Sequence, residues 1–225
     1  RVIAYDRRGF GKSSQPWTGY DYDTLSDDLK ILIDELELED VILVGFSMGG
    51  GEVVRYFSRH GGENISKAVL ISSVTPYMLK TQDNPGGVAK QVFDEMDEEM
   101  KEDRMKFLQD FVKTFYGVGL LTKPVSDAYM QHDFTIASGA SPHATAECAK
   151  AFTTTDFRDE MPLVFVPTLI VHGDSDKTVP IESSGEKSAG LIPDAKYLVY
   201  GGSPHGLFYT DKERLNEDLL EFLLS

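Results

Sequence analysis

Cysteine is almost absent from this chain of 225 residues: Cys148 stands alone. A single thiol cannot form an internal disulfide, so a covalently stapled fold is excluded and a reducing, cytoplasmic setting fits. Cys148 has neither a sharp turn nor an adjacent base to activate it, and reads as a small buried residue. Positive charge is scarce too. Lys and Arg number 22 against 37 Asp and Glu, a net charge of −15, which argues against nucleic acid and anionic membrane surfaces as partners. No apolar run approaches the length of a membrane span, and no secretory leader is evident. Repeats and low-complexity tracts are missing. The 5 histidines include no His-x-x-x-His pair and no Cys/His cluster, so no metal is expected. Asp174 and Asp176 lack the spaced oxygens and closing Glu of a calcium loop. Gly9-Phe10-Gly11-Lys12-Ser13 falls short of a phosphate loop, because Asp6 stands where the first glycine belongs. No cofactor is expected. With 41% hydrophobic residues, the length suits one soluble α/β domain.

What the chain does have is concentrated in residues 41–51. Val41-Ile42-Leu43-Val44 is a short apolar run of the kind buried on both faces of a parallel sheet. Gly45-Phe46-Ser47-Met48-Gly49 follows it, and Glu52 to His60 reads as a helix. Strand, Gly-x-Ser-x-Gly and helix in that order form a nucleophile elbow. A serine at the tip of so sharp a turn has strained backbone angles, so Gly45 and Gly49 on either side must be small. Its hydroxyl then stands clear of the sheet at a helix N-terminus, where dipole and free N–H groups favour an anion. The Met48 backbone N–H is the expected oxyanion donor.

Such a serine needs a base and an orienting carboxylate, which follow it in the order acid, then histidine. Thr168–Val171 is a second buried run, followed by His172-Gly173-Asp174-Ser175-Asp176; Tyr197–Tyr200 is a third, followed by Gly201-Gly202-Ser203-Pro204-His205-Gly206. Reacting groups in open parallel sheets sit beyond the carboxyl ends of strands. Ser47, the Asp174/Asp176 pair and His205 all occupy such positions. His60 ends a helix, His132 and His143 lie where no strand end presents them, and His172 reads as a brace for the acid loop. His205 is the expected base. Spacing alone leaves Asp174 and Asp176 even, one to accept from His205 and the other to hold the turn.

Elsewhere strands alternate with helices. Val2–Tyr5 and Lys67–Ile71 read as further strands; Thr24–Leu36, with Thr24 and Asp27 near its start, and Asp211–Leu224 read as helices. Residues 75–166 hold no convincing strand. Phe93, Met96, Met100, Phe107, Phe111, Phe115 and Tyr116 recur there at near-helical spacing. The stretch is expected to be a helical cap, the stripe chiefly its own packing face with a few members turned to a pocket. Residues 1–74 and 167–225 are then the two parts of the core.

These residues carry a resemblance. Tyr5-Asp6-Arg7-Arg8-Gly9-Phe10-Gly11-Lys12-Ser13-Ser14, the elbow extended by Gly50-Gly51-Glu52-Val53, Asn84-Pro85-Gly86-Gly87, Lys150-Ala151-Phe152, Thr155-Asp156-Phe157, the His172–Asp176 motif and Pro204-His205-Gly206-Leu207 are similar to those of the α/β-hydrolase superfamily. Within it they resemble the cofactor-free haloperoxidase, arylesterase and perhydrolase group, with its γ-lactamase-like relatives. The resemblance runs the length of the chain. It implies a mostly parallel sheet flanked by helices, with a helical cap inserted between strands. It also implies that Asp176, the second aspartate of its motif, is the triad acid, with Asp174 steadying the turn. Relatives carry a further central strand ending in a His-Gly-aromatic-Pro turn that supplies a second oxyanion donor. This strand would lie between Val2–Tyr5 and Val41–Val44, and it is not in the sequence, so the 225 residues are expected to be part of a longer chain.

The chemistry so implied is acyl transfer to Ser47. Three functions are weighed: cleavage of small carboxylic or aryl esters, with perhydrolase or haloperoxidase activity in the same pocket; hydrolysis of small amides or γ-lactams; and a catalytically silent binding protein on the same fold. Ser47 excludes dehalogenase and epoxide-hydrolase chemistry of the kind that needs a carboxylate nucleophile at the elbow. The expected partner is a small-molecule ester, and nothing excludes a homo-oligomer.

Overall fold

The apolar runs become the strands of one parallel sheet. A computed structural model describes residues 1–225. Its sheet has 4 strands in the order β1-β2-β3-β4: β1 Val41–Phe46, β2 Ile65–Ile71, β3 Thr168–Gly173 and β4 Lys196–Tyr200. Alternation along each strand feeds two layers of core. Ala68, Leu70 and Ile170 point to one face and pack with Tyr22, Ile33, Val54 and Phe57. Val69, Ile71, Leu169 and Val171 point to the other and pack with Leu207, Leu215 and Phe222. Helices α1 (Tyr22–Glu35) and α2 (Met48–His60) thus cover one face, and the final helix covers the other. No helix is long and apolar enough to cross a membrane.

Two expected elements differ. Helix α1 begins before Thr24, because the Asp21 side chain accepts from Thr24 N–H at 2.9 Å and so caps it. Asp27 instead receives Arg59 Nε at 2.6 Å. Val2–Tyr5 forms no strand: residues 1–6 are exposed and irregular. The outer edge of β1 faces a groove of about 980 Å³ that Val2, Ile3 and Tyr5 line from the far side. A β-branched run becomes a strand only when a ladder takes up its N–H and C=O groups, and here none is within reach.

Between β2 and β3 lie α3 (Lys90–Glu102), α4 (Arg104–Phe115), α5 (Asp127–Ser138) and α6 (Pro142–Thr154). Asn84 anchors the connection into them. It is buried, its amide donates to Tyr77 and Leu79 carbonyls at 3.1 and 2.8 Å, and its oxygen accepts from Lys187 at 2.8 Å. A side chain at Gly87 would strike the Leu79 carbonyl, which explains the compact Asn-Pro-Gly-Gly turn. Phe157, Met161, Val164 and Val166, grouped by sequence with the cap, pack in the main core beside Ile170. The aromatic stripe divides. Tyr116 is buried with cap residues Val112 and Val125 and against Tyr209 beyond β4, whereas Phe93, Met96, Phe107 and Phe111 line a cavity of about 620 Å³ bounded also by Lys177, Thr178 and Pro180. Helix α3 buries no residue fully, so its apolar face meets that of α4 across open space.

After β3 come α7 (Gly185–Leu191), then β4, a short α8 (Leu207–Thr210) and α9 (Lys212–Leu224). Register aligns Phe46 with Ile71, Ile71 with Val171, and Gly173 with Tyr200. The carboxyl ends of all strands therefore share one rim, and the loops leaving them meet there.

Candidate active site

Ser47 stands between β1 and α2 with φ 52° and ψ −120°, a strained conformation for a residue with a side chain. Its backbone is locked: Ser47 N–H donates to Ile71 O at 2.9 Å, and its carbonyl accepts from Gly50 and Val74 N–H at 3.1 and 3.2 Å. The turn is so tight that a Cβ on Gly45 would stand 2.5 Å from the Gly49 carbonyl oxygen. Gly49 differs from expectation, since a Cβ there would meet only Arg7 Nη2 at 3.8 Å. Its hydrogen points toward the groove beside β1, which Gly49 helps to line. Gly45→Ala is accordingly expected to cost about 1–3 kcal/mol of stability through overpacking, while Gly49→Ala unfolds close to the parent protein. Chemical denaturation of the pair measures this; equal midpoints would mean that the turn relaxes around a methyl group.

His205 lies in the loop after β4 and is 1% exposed. Ser47 Oγ–H donates to His205 Nε2 at 3.0 Å, and His205 Nδ1–H donates to Asp176 Oδ2 at 2.6 Å. Phe46 and Phe115 pack against the imidazole with centroids at 4.9 and 5.0 Å, and Phe208 closes on Phe46 at 5.0 Å. The cap also holds this loop directly, through Gly206 N–H to Phe115 O at 2.8 Å. The 620 Å³ cavity is not lined by Ser47 or His205. Its wall residue Phe111 packs on Phe115, which in turn packs on His205.

The structure separates the two aspartates that spacing leaves even. Asp176 is buried, and its Oδ1 accepts from Thr178 and Val179 N–H at 2.9 and 2.8 Å while Oδ2 faces His205. Asp174 is exposed; its Oδ1 accepts from Gly202 N–H at 2.6 Å, tying the acid loop to the histidine loop. Burial pushes the Asp176 carboxyl up, but contacts with His172 and His205, the charge of His205 and the Val179 N–H outweigh it and hold the group at about 2. It is ionised throughout the neutral range.

The remaining candidates stay apart from this chain of groups. His143 stacks on Trp17 at 3.9 Å, and His60 meets Asp27 at 3.1 Å. Cys148 is buried beside Tyr20 and Ala144, and burial pushes its thiol up to about 11, which leaves it unreactive. Met48 N–H, the first of helix α2, has no backbone acceptor, and Met48 O accepts from the buried Tyr22 hydroxyl at 3.1 Å. A second support escapes a reading of local pattern. Glu52, 3% exposed, takes both arms of Arg7 at 2.9 and 2.6 Å and the hydroxyl of Tyr5. The available signal is an acid inside the apolar run Gly51-Glu52-Val53-Val54, which calls for a buried cation.

A parallel sheet with a strained serine turn at its rim defines a class of protein, and comparison with known families agrees. Residues 1–212 match the family model described as alpha/beta hydrolase fold, and the chain belongs to that family. It is 45% identical to a putative non-heme chloroperoxidase of Synechocystis, over 99% of this chain and 81% of that protein. A bifunctional esterase/perhydrolase of Acinetobacter calcoaceticus is 39% identical over 100% of this chain and 82% of its own length. Among solved structures, a bromoperoxidase from Bacillus anthracis superposes with a TM-score of 0.95 at 47% identity, covering 98% of this chain and 80% of that one.

Proposed function

We propose that the chain hydrolyses small carboxylic esters, aryl esters among them, through an acyl-enzyme on Ser47, with Asp176 and His205 completing a triad. The observation that carries this reading is the Ser47–His205–Asp176 relay at 3.0 and 2.6 Å, set on a backbone held at φ 52°. His205 takes the Ser47 proton as Oγ bonds to the ester carbon. Met48 N–H then receives the oxyanion, an interaction worth about 3 kcal/mol for such donors. On collapse the C–O bond breaks, and the leaving alkoxide or phenoxide takes the proton from His205. Water, deprotonated by the same histidine, releases the acid.

Hydrogen peroxide in place of water releases a peracid, which passes an oxygen to halide in solution. One pocket then performs esterase and haloperoxidase chemistry, in keeping with the names of the relatives. Phe46 and Phe115 against His205, with Phe208 packed on both, support aryl groups as substrate parts. A panel of phenyl and alkyl acetates beside a small γ-lactam, each with and without peroxide and bromide, tests the proposal. Aryl acetates are expected to turn over fastest, and peroxide to divert their acyl groups to peracid. Faster cleavage of the lactam than of every ester would overturn it.

A further inference from the structure

His172, one turn of chain before the acid, is wholly buried at the end of β3. Its Nε2 lies 2.9 Å from Val179 O and 3.3 Å from Asp176 Oδ2, the same oxygen that receives His205. Two acceptors on one nitrogen fix the proton there. The other nitrogen, Nδ1, is buried without a partner. It lies against Gly185 of α7, where a Cβ would stand 2.7 Å from it. No acceptor faces Nδ1, so the N–H that this ring puts to use is the one at Nε2. A buried imidazole with one orphaned nitrogen is a costly space filler. An apolar side chain would fill the same volume without that cost, so the use of this histidine lies in its Nε2–H.

We propose that His172 is a positioning residue: its Nε2–H closes the acid loop through Val179 O and leans on Asp176 Oδ2, fixing the carboxylate and sharing the oxygen that orients His205. The inference rests on the reading of Ser47, Asp176 and His205 as the reacting groups. His172 touches no substrate. Its effect passes through one oxygen atom, by two routes. It sets where Oδ2 sits relative to His205 Nδ1, and it draws off part of the carboxylate charge that would otherwise favour the imidazolium.

The test compares His172→Phe, His172→Asn and His172→Gln in the intact enzyme by kcat, KM and the pH profile of kcat/KM. The Gln amide nitrogen reaches the place of Nε2, whereas that of Asn stops at Nδ1. Phe and Asn are expected to lower kcat by roughly 10–100-fold, the scale of a catalytic group misplaced by up to an ångström. KM should hold, and the acid limb of the profile should move, because Asp176 Oδ2 is no longer shared between the two imidazoles. Gln should recover most of the rate and return the limb to its place. If Phe fails to fold, the contrast between Asn and Gln decides. Equal loss in Asn and Gln, or an unmoved limb in Phe and Asn alike, would overturn the inference. Ser47→Ala run alongside keeps the two readings distinct. An inactive Ser47→Ala with a normal His172→Phe sinks the positioning role alone, and an active Ser47→Ala sinks both.

Discussion

Ser47→Ala and His205→Ala are each expected to abolish nearly all ester hydrolysis, and the double variant to be scarcely slower than either. The reason is that the two groups act on one proton. Ser47 Oγ–H points at His205 Nε2 across 3.0 Å. Without the imidazole the hydroxyl attacks at its unassisted rate, and without the hydroxyl the imidazole has nothing to activate. What survives is the binding of the ester and its oxyanion, which in hydrolases of this design leaves about 10³–10⁴-fold over water. Steady-state rates of the three variants, checked for folding by circular dichroism, read this directly. Multiplicative losses in the double variant would show that the residues contribute independently, and the relay would be wrong.

Asp176→Asn is expected to lower kcat by roughly 10⁴-fold, while Asp174→Asn stays within about 10-fold. Asp176 accepts Nδ1–H of His205 at 2.6 Å. An amide there can present its own N–H instead, which turns the imidazole to the wrong tautomer and leaves Nε2 protonated against Ser47. Asp174 touches neither group. It receives Gly202 N–H at 2.6 Å from an exposed position, a bond that neutral Asn can also accept. Its loss should show in stability before turnover. If Asp174→Asn proves the more damaging change, the acid has been misassigned.

The serine turn is legible because its signal is local and steric: a buried run, Gly45, a serine and a helix in direct succession. The convergence of the loops is legible for a topological reason, since parallel strands place their carboxyl ends on one rim. The choice between Asp174 and Asp176 is not in the spacing. It depends on how residues 176–179 fold back so that Thr178 and Val179 N–H reach Oδ1, a tertiary fact for which the sequence offered only family resemblance. Val2–Tyr5 has the composition of a strand, yet a strand is a property of a ladder and not of a segment. Gly49 shows the same limit, because whether a methyl group fits depends on what lies opposite it. Phe115 falls between these cases. Its helical spacing announces a packing face, but the sequence does not say that this face bears on His205.

Trapping the covalent intermediate tests acyl transfer to Ser47 most directly. An aryl acetate is mixed with enzyme, the reaction is quenched in acid within the first turnovers, and the digested protein is weighed peptide by peptide. An acetyl increment on the peptide bearing Ser47, absent from Ser47→Ala and slow to form in His205→Ala, is the expected result. A burst of phenol with the increment on another residue, or with none, would contradict it.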